Sequence, residues 1–239
     1  MEDALLYSAN HVMQRRDVLE VLNGLSTHSI LKPRPNQRVL DLGCGPGDTT
    51  VFDLLPRLSP DSQVVGVDIS AEMINHARNT FSNSRLQFYE YDLESCDVYK
   101  TSSLGQYDKI FSFYCLHWIQ NQRAAYQNVY NLLKSEGEIL FFFVIRSPIY
   151  ILFETMARNP RWNKYMQDVK NFISPYHHSK NPSEEIKVLL KTIGFQNIQC
   201  THHNRIFEFP SLGVLMKSIE AVDPFIRRIP DELKDAFFS

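Results

Sequence analysis

The sequence lacks any long run of charge of one sign: 25 Lys and Arg stand against 27 Asp and Glu, for a net charge of -2. A surface so balanced has no electrostatic footprint for nucleic acid or an anionic membrane, and neither is expected as a partner. It also lacks a CxxC pair. Cys44, Cys96, Cys115 and Cys200 are scattered, which excludes the common zinc and dithiol motifs and fits reduced thiols in a cytoplasmic chain. No apolar stretch opens the sequence, since MEDALLYSANHVMQRRD carries acids at once, so no secretory signal is expected. The greasiest run, residues 139–145, closes at Arg146, Ser147 and Pro148, and it suits a buried strand rather than a bilayer span.

Apolar and aromatic side chains are plentiful. Hydrophobic residues make up 44% of the chain, with 16 Phe, 11 Tyr and 2 Trp. A core can absorb them, and so can a greasy ligand pocket. At this length one large core is expected, in a single domain spanning 1–239. Short β-branched and aromatic runs at 38–42, 63–68, 86–91, 107–113, 138–145 and 198–209 read as strands. Helical patterns fill the intervals at 11–25, 48–58, 71–79, 122–133 and 183–193, the last ending at Gly194. The alternation predicts an α/β doubly wound, mostly parallel sheet. Residues 147–182 form a helical insertion after the fifth strand; it carries Tyr150, Phe153, Trp162, Tyr165, Phe172 and Tyr176. An insertion of that length rarely lacks a task.

The strand RVLDL runs into Gly43-Cys44-Gly45-Pro46-Gly47 and a helix opening at Asp48. Such a loop brings bare backbone to a ligand at a helix N-terminus. The spacing is GxGxG rather than the dinucleotide GxGxxG, and Asp48 stands where the third glycine should be, so a pyrophosphate would meet like charge. Asp68 ends the second strand about twenty residues on, where an acid can accept both ribose hydroxyls. Its other reading is a helix N-terminal acid, a role Ser70 fills better. Asp41 sits at a buried strand end, where an unpaired carboxylate is costly.

The loop resembles motif I of class I S-adenosylmethionine-dependent methyltransferases, in which it wraps the methionine end of the cofactor. That resemblance implies a Rossmann-like fold and S-adenosylmethionine as cofactor. Asp41 then organises the loop or meets the methionine ammonium, Asp92 takes the adenine amino group, and Leu93 packs on the ring. The candidate cofactor contacts also include Gly43, Cys44, Gly45, Ile69, Ser112 and Phe113.

The segment SFYCLHWIQN after the fourth strand, the later MQDVKNFISP, and the pairing of Gln14 with Arg15 are similar to insect juvenile hormone acid O-methyltransferases, from about residue 6 to 235. The resemblance implies that Gln14 and Trp118 contact a substrate carboxylate, with His117 as a third contact. The partner it implies is a small apolar carboxylic acid. An amide and an indole N–H are neutral donors, able to orient a carboxylate without cancelling its charge. Two rivals stand beside this reading. One is a methyltransferase for a small polar acid, as in trans-aconitate methyltransferase-like proteins, for which Arg146, Arg158 and Arg161 offer charge. The other is a catalytically idle binding protein on the same fold.

Two further expectations follow. Members of the family end with a last strand lying between the fifth and sixth; this sequence stops at Ala236-Phe237-Phe238-Ser239 without one, so an exposed sheet edge, lower stability or a homodimer is expected. The pairs His177-His178 and His202-His203 are expected to hold no metal, because neighbouring side chains point apart and no third ligand is spaced to join them.

Overall fold

The computed structural model describes residues 3–95 and 103–237; Cys96 lies outside them. The apolar runs form β1 (Arg38–Leu42), β2 (Gln63–Asp68), β3 (Leu86–Glu90), β4 (Tyr107–Phe113) and β5 (Leu133–Phe142). They pair in parallel in the order β3-β2-β1-β4-β5. The central strands are buried on both faces, which is why Val39, Leu40, Leu42, Ile110 and Phe111 read as continuous apolar runs. The helices are α1 (Ala4–Asn10), α2 (Val12–Gly24), α3 (Ala71–Thr80), α4 (Gln122–Leu132), α5 (Pro148–Arg158), α6 (Pro182–Ile193), α7 (Leu212–Glu220) and α8 (Asp231–Phe237).

Local chemistry sets several of these boundaries. Ser70 caps α3 by accepting from the Met73 amide at 3.3 Å, and Asn121 caps α4 through the Ala124 amide at 3.1 Å. Gly194 closes α6 at φ +124°, as its place after the helical pattern predicts. On one face of the sheet α4 and α6 bury Tyr126, Val129, Ile186 and Leu190 against Tyr107 and Ile110; on the other, α2 buries Val18 and Leu22 against Val39 and Phe111. The insertion packs Tyr150, Phe153, Trp162 and Met166 against Phe225, Ile229 and Phe237 near the C-terminus, a separate apolar cluster.

Three expectations are corrected. Residues 48–58 do not form an α-helix: Thr49–Leu54 is π-helical and Leu55–Arg57 a 3-10 turn, where Pro56 has no amide to continue the ladder. β5 begins earlier than expected, with Leu133 opposite Tyr107, and reaches the Glu138–Lys109 register only across a bulge. Residues 198–209 form no strand. The cleft lined by both β5 and this segment lies between the two, and a strand without a neighbour leaves its backbone unpaired. β5 is therefore an edge strand among the described residues, as expected. No helix of the described residues is long and apolar enough to cross a membrane.

The order places β1 beside β4, where the winding of the sheet reverses. Open α/β sheets hold ligands in the crevice at the carboxyl ends of strands flanking that point. Residues 43–47 leave β1 there, and residues 114–118 leave β4.

Candidate active site

The loop after β1 is shaped by its glycines. Gly43 has φ +71°, and a Cβ built on it would lie 2.3 Å from both Cβ and Sγ of Cys115, so only glycine lets the two strand exits touch. Gly45, at φ +56°, faces open space up to the Tyr7 ring, 4.0 Å from such a Cβ. Its amide donates to Asp68 Oδ2 at 2.9 Å, and the Ser70 amide donates to Oδ1 at 2.9 Å. Asp68 thus ties loop to strand end, although burial pushes its carboxyl above the usual range. Asp41 is 2% exposed and accepts from Thr50 Oγ1 at 2.6 Å. Burial raises its pKa to about 6, against the pull of the Thr50 hydroxyl and with the charge of Asp68 adding to the rise. A buried carboxylate with one hydroxyl partner has room for a cation.

The other cofactor-side candidates divide. Ile69 is 67% exposed at the rim, an apolar side chain open to a planar ligand. Asp92 is exposed and accepts the Glu94 amide at 2.9 Å, while Leu93 is buried in the main core. The Cys44 side chain packs with Ile74, Ala77 and Phe88, away from the loop's concave side. Ser112 gives its hydroxyl to the Leu42 carbonyl at 2.9 Å, and Phe113 lies in the core against the α2 side. The side chains of Cys44, Ser112 and Phe113 are thus all engaged within the protein.

On the acceptor side, Gln14 on α2 and His117 and Trp118 in the 3-10 turn after β4 line one cleft of about 2330 Å³. The His117 and Trp118 rings sit 4.9 Å apart. Gln14 Oε1 and His117 Nδ1 are buried and have no hydrogen-bonding partner in the protein. Burial lowers the His117 pKa to about 3, so its ring is neutral at working pH. The cleft wraps the unpaired β5, with Phe141, Phe143 and Ile145 on its α4–α6 face and Phe142 on its α2 face, and reaches Phe207 and Leu215, with Glu138, His203 and Arg205 also among its walls.

A protein-family model described as a methyltransferase domain matches residues 33–193. Over 239 residues the chain is 34% identical to a juvenile hormone acid O-methyltransferase of Drosophila melanogaster, covering 99% of this chain and 80% of that one. This decides the family. The chain belongs to the juvenile hormone acid O-methyltransferase family of S-adenosylmethionine-dependent methyltransferases. The Bombyx mori enzyme of that name is 35% identical, covering 99% and 84% of the two chains. In fold, the chain is similar to magnesium protoporphyrin IX methyltransferase from Synechocystis with S-adenosylhomocysteine bound. That likeness has a TM-score of 0.51 at 19% identity and covers 82% and 79% of the chains. As a member of this family the chain is an enzyme, which sets aside the idle binding protein, and its cofactor is S-adenosylmethionine.

The residues of this methyltransferase fit that cofactor. Gly43 lets the loop close against Cys115 and Gly45 leaves open the space below the Tyr7 ring, while Asp41 supplies a buried acid and Asp68 a half-buried one. Sequence reasoning missed four participants. Tyr7 and His11 stack at 5.2 Å over the loop, with the His11 Nε2 3.9 Å from Asp48. The Tyr7 hydroxyl pKa is raised by burial and by the charges of Asp68 and Asp48. Asp17 is buried and accepts from Tyr114 Oη at 2.5 Å, Arg16 Nη2 at 2.6 Å and Arg205 Nη1 at 3.3 Å. It joins the helix of Gln14 to Tyr114, which leaves β4 at φ +53°, three residues before His117. A signal was present: residues 14, 17, 18 and 22 share one helical face, so an acid at 17 points inward with Val18 and Leu22.

Proposed function

We propose that this methyltransferase forms the methyl ester of an apolar carboxylic acid of the juvenile hormone acid or farnesoic acid type. The observation that carries the reading is the pair of unpartnered buried atoms, Gln14 Oε1 and His117 Nδ1, in a cleft that also carries Trp118, Phe142 and Phe207. Unsatisfied buried polar atoms cost free energy, and a carboxylate of the acceptor relieves that cost. Turning the Gln14 amide over presents its NH₂, and the appropriate tautomer of His117 presents an N–H; with the Trp118 indole these make three neutral donors.

S-adenosylmethionine supplies an electrophilic methyl group on a sulfonium. The loop at 43–47 and Asp41 take its methionine end, Asp68 the ribose hydroxyls, and Asp92, the Leu93 backbone and Ile69 the adenine. Gln14 and Trp118 grip the acceptor carboxylate, and His117 fixes its tilt. The acid is already ionised at neutral pH, so no residue removes a proton. The chain's work is to align one carboxylate oxygen and to exclude water; such positioning contributes roughly 7 to 11 kcal/mol in favourable systems.

A polar polyacid finds less support. The Arg146 guanidinium is spent on the carbonyls of His177 and Ser179, and Arg161 stacks on Trp162 at 4.6 Å. We take residues 1–239 as one domain working in the cytoplasm, with the unpaired β5 edge favouring a homodimer. Incubation with labelled cofactor and farnesoic acid is expected to give methyl farnesoate. Turnover on a tricarboxylate instead, with none on farnesoic acid, overturns the substrate class. Sedimentation as a monomer at micromolar concentration overturns the dimer.

A further inference from the structure

The expectation that neighbouring histidines diverge fails at residues 177 and 178. Their ring centroids are 4.6 Å apart with planes at 66°, so both imidazoles lie to one side of the chain. Two turns hold them there: the His177 amide donates to the Ser174 carbonyl at 2.9 Å and the Ser179 amide to the Tyr176 carbonyl at 3.1 Å. Arg146 braces the same segment from the end of β5 through the carbonyls of His177 and Ser179.

A third group comes from α5. Tyr150 and Glu154 lie one turn apart on that helix, and both meet the pair: the Tyr150 ring stands edge-on to His177 at 5.2 Å, and Glu154 Oε1 is 2.8 Å from His178 Nε2. Each of Glu154, His177 and His178 offers one ligand atom, and these atoms lie within 4.8 Å of one another. A surface ion pair explains His178 and Glu154 alone. It leaves out His177, which is 8% exposed and whose Nδ1 has no hydrogen-bonding partner in the protein.

We infer that Glu154, His177 and His178 form a binding site for a divalent transition-metal ion of the Zn²⁺ class. Two imidazoles and one carboxylate are a borderline donor set suited to Zn²⁺, whereas Ca²⁺ and Mg²⁺ call for more oxygens than this cluster holds. On binding, the His178 Nε2 proton that faces Glu154 moves through solvent to Nδ1 of the same ring, so that Nε2 and the Glu154 carboxylate both face the ion, and water completes the coordination. The site stands apart from the methyl-transfer chemistry. Its effect is mechanical: α5 also contributes Ile149, Tyr150 and Leu152 to the wall of the acceptor cleft, and the ion clamps that helix to the 174–179 segment.

The test uses untagged, S-adenosylhomocysteine-loaded protein titrated with ZnCl₂ by calorimetry, with Co²⁺ absorption as a second readout. The wild type is expected to take one equivalent of Zn²⁺, to melt higher with it, and to give ligand-field bands with Co²⁺. Both Glu154→Gln and His178→Ala alter partly or largely exposed side chains, so both should melt near the wild-type temperature without metal while binding at least about tenfold more weakly. A His202→Ala/His203→Ala control should bind as the wild type does. Zn²⁺ binding that survives in the Glu154→Gln/His178→Ala double variant overturns the assignment, as does a wild type that takes up no ion.

Discussion

The two halves of the active site are built differently. On the cofactor side, backbone conformation does the shaping, and the acids already have partners: Asp68 holds two amides and Asp41 a hydroxyl. On the acceptor side, side chains do the shaping, and the polar atoms of Gln14 and His117 have no partner in the protein. A ligand shared by a whole fold class can be met by backbone. A ligand particular to one family is met by side chains, which can change without disturbing the sheet.

The sharpest break in this contrast is Gly43→Ala. Its Cβ would fall 2.3 Å from Cys115 at a backbone φ of +71°, so cofactor affinity should drop by a hundredfold or more, on the order of 3 kcal/mol, with a lower melting temperature. Gly45→Ala, with its nearest neighbour at 4.0 Å, should retain more of both. Calorimetry with S-adenosylhomocysteine and a thermal melt measure the pair; equal losses would show that steric contact with Cys115 is not what shapes the loop. Next in size, Gln14→Ala or Trp118→Ala should lower kcat/KM by about a hundredfold, or roughly 3 kcal/mol, with cofactor affinity within twofold of wild type. Full rates in both variants would remove the acceptor assignment.

Asp17→Asn should have a smaller effect, raising KM for the acid about tenfold through misplacement of α2 and the β4 exit, with cofactor binding intact and partial recovery in Asp17→Glu. If cofactor affinity fell in step with KM, Asp17 would hold the whole fold and not the acceptor side. A last test concerns pH. With the folded pKa of Asp41 raised to about 6 by burial, its carboxyl in the ligand-free protein binds protons more tightly than in the unfolded chain. Its contribution to stability is then present at about pH 4 and lost as pH rises to about 6, by up to about 3 kcal/mol. Cofactor affinity should run the other way, strengthening as pH rises through 6 and Asp41 ionises to meet the ammonium. Asp41→Asn should flatten both curves, and a pH-independent wild-type affinity would count against the ammonium contact.

Much of this was legible in the sequence. The glycine loop and four of the five strands declare themselves because buried parallel strands must be apolar and the loop must lack Cβ atoms. Gln14, His117 and Trp118 are candidates through family likeness alone, and all three line one cleft. What the sequence could not show depends on distant partners. The 198–209 run has strand-like composition, but pairing needs a neighbour that composition cannot supply. The helical face points Asp17 inward, but its partners, Tyr114 and Arg205, are far off in sequence and only the fold brings them to it. Ser112 and Phe113 are among the candidate cofactor contacts, and their side chains meet the Leu42 carbonyl and the core on the α2 side.

The meeting of Gly43 and Cys115 fixes more than a turn. On the proposed assignments, donor and acceptor are mounted on two strand exits pressed together, with Trp118 only three residues past the point of contact, so the reach from methyl group to oxygen is set by backbone stitched into the sheet. The helical insertion sits outside that joint. Rewriting it changes which acid is admitted and how long a tail it carries, while the line of attack stays where the sheet put it.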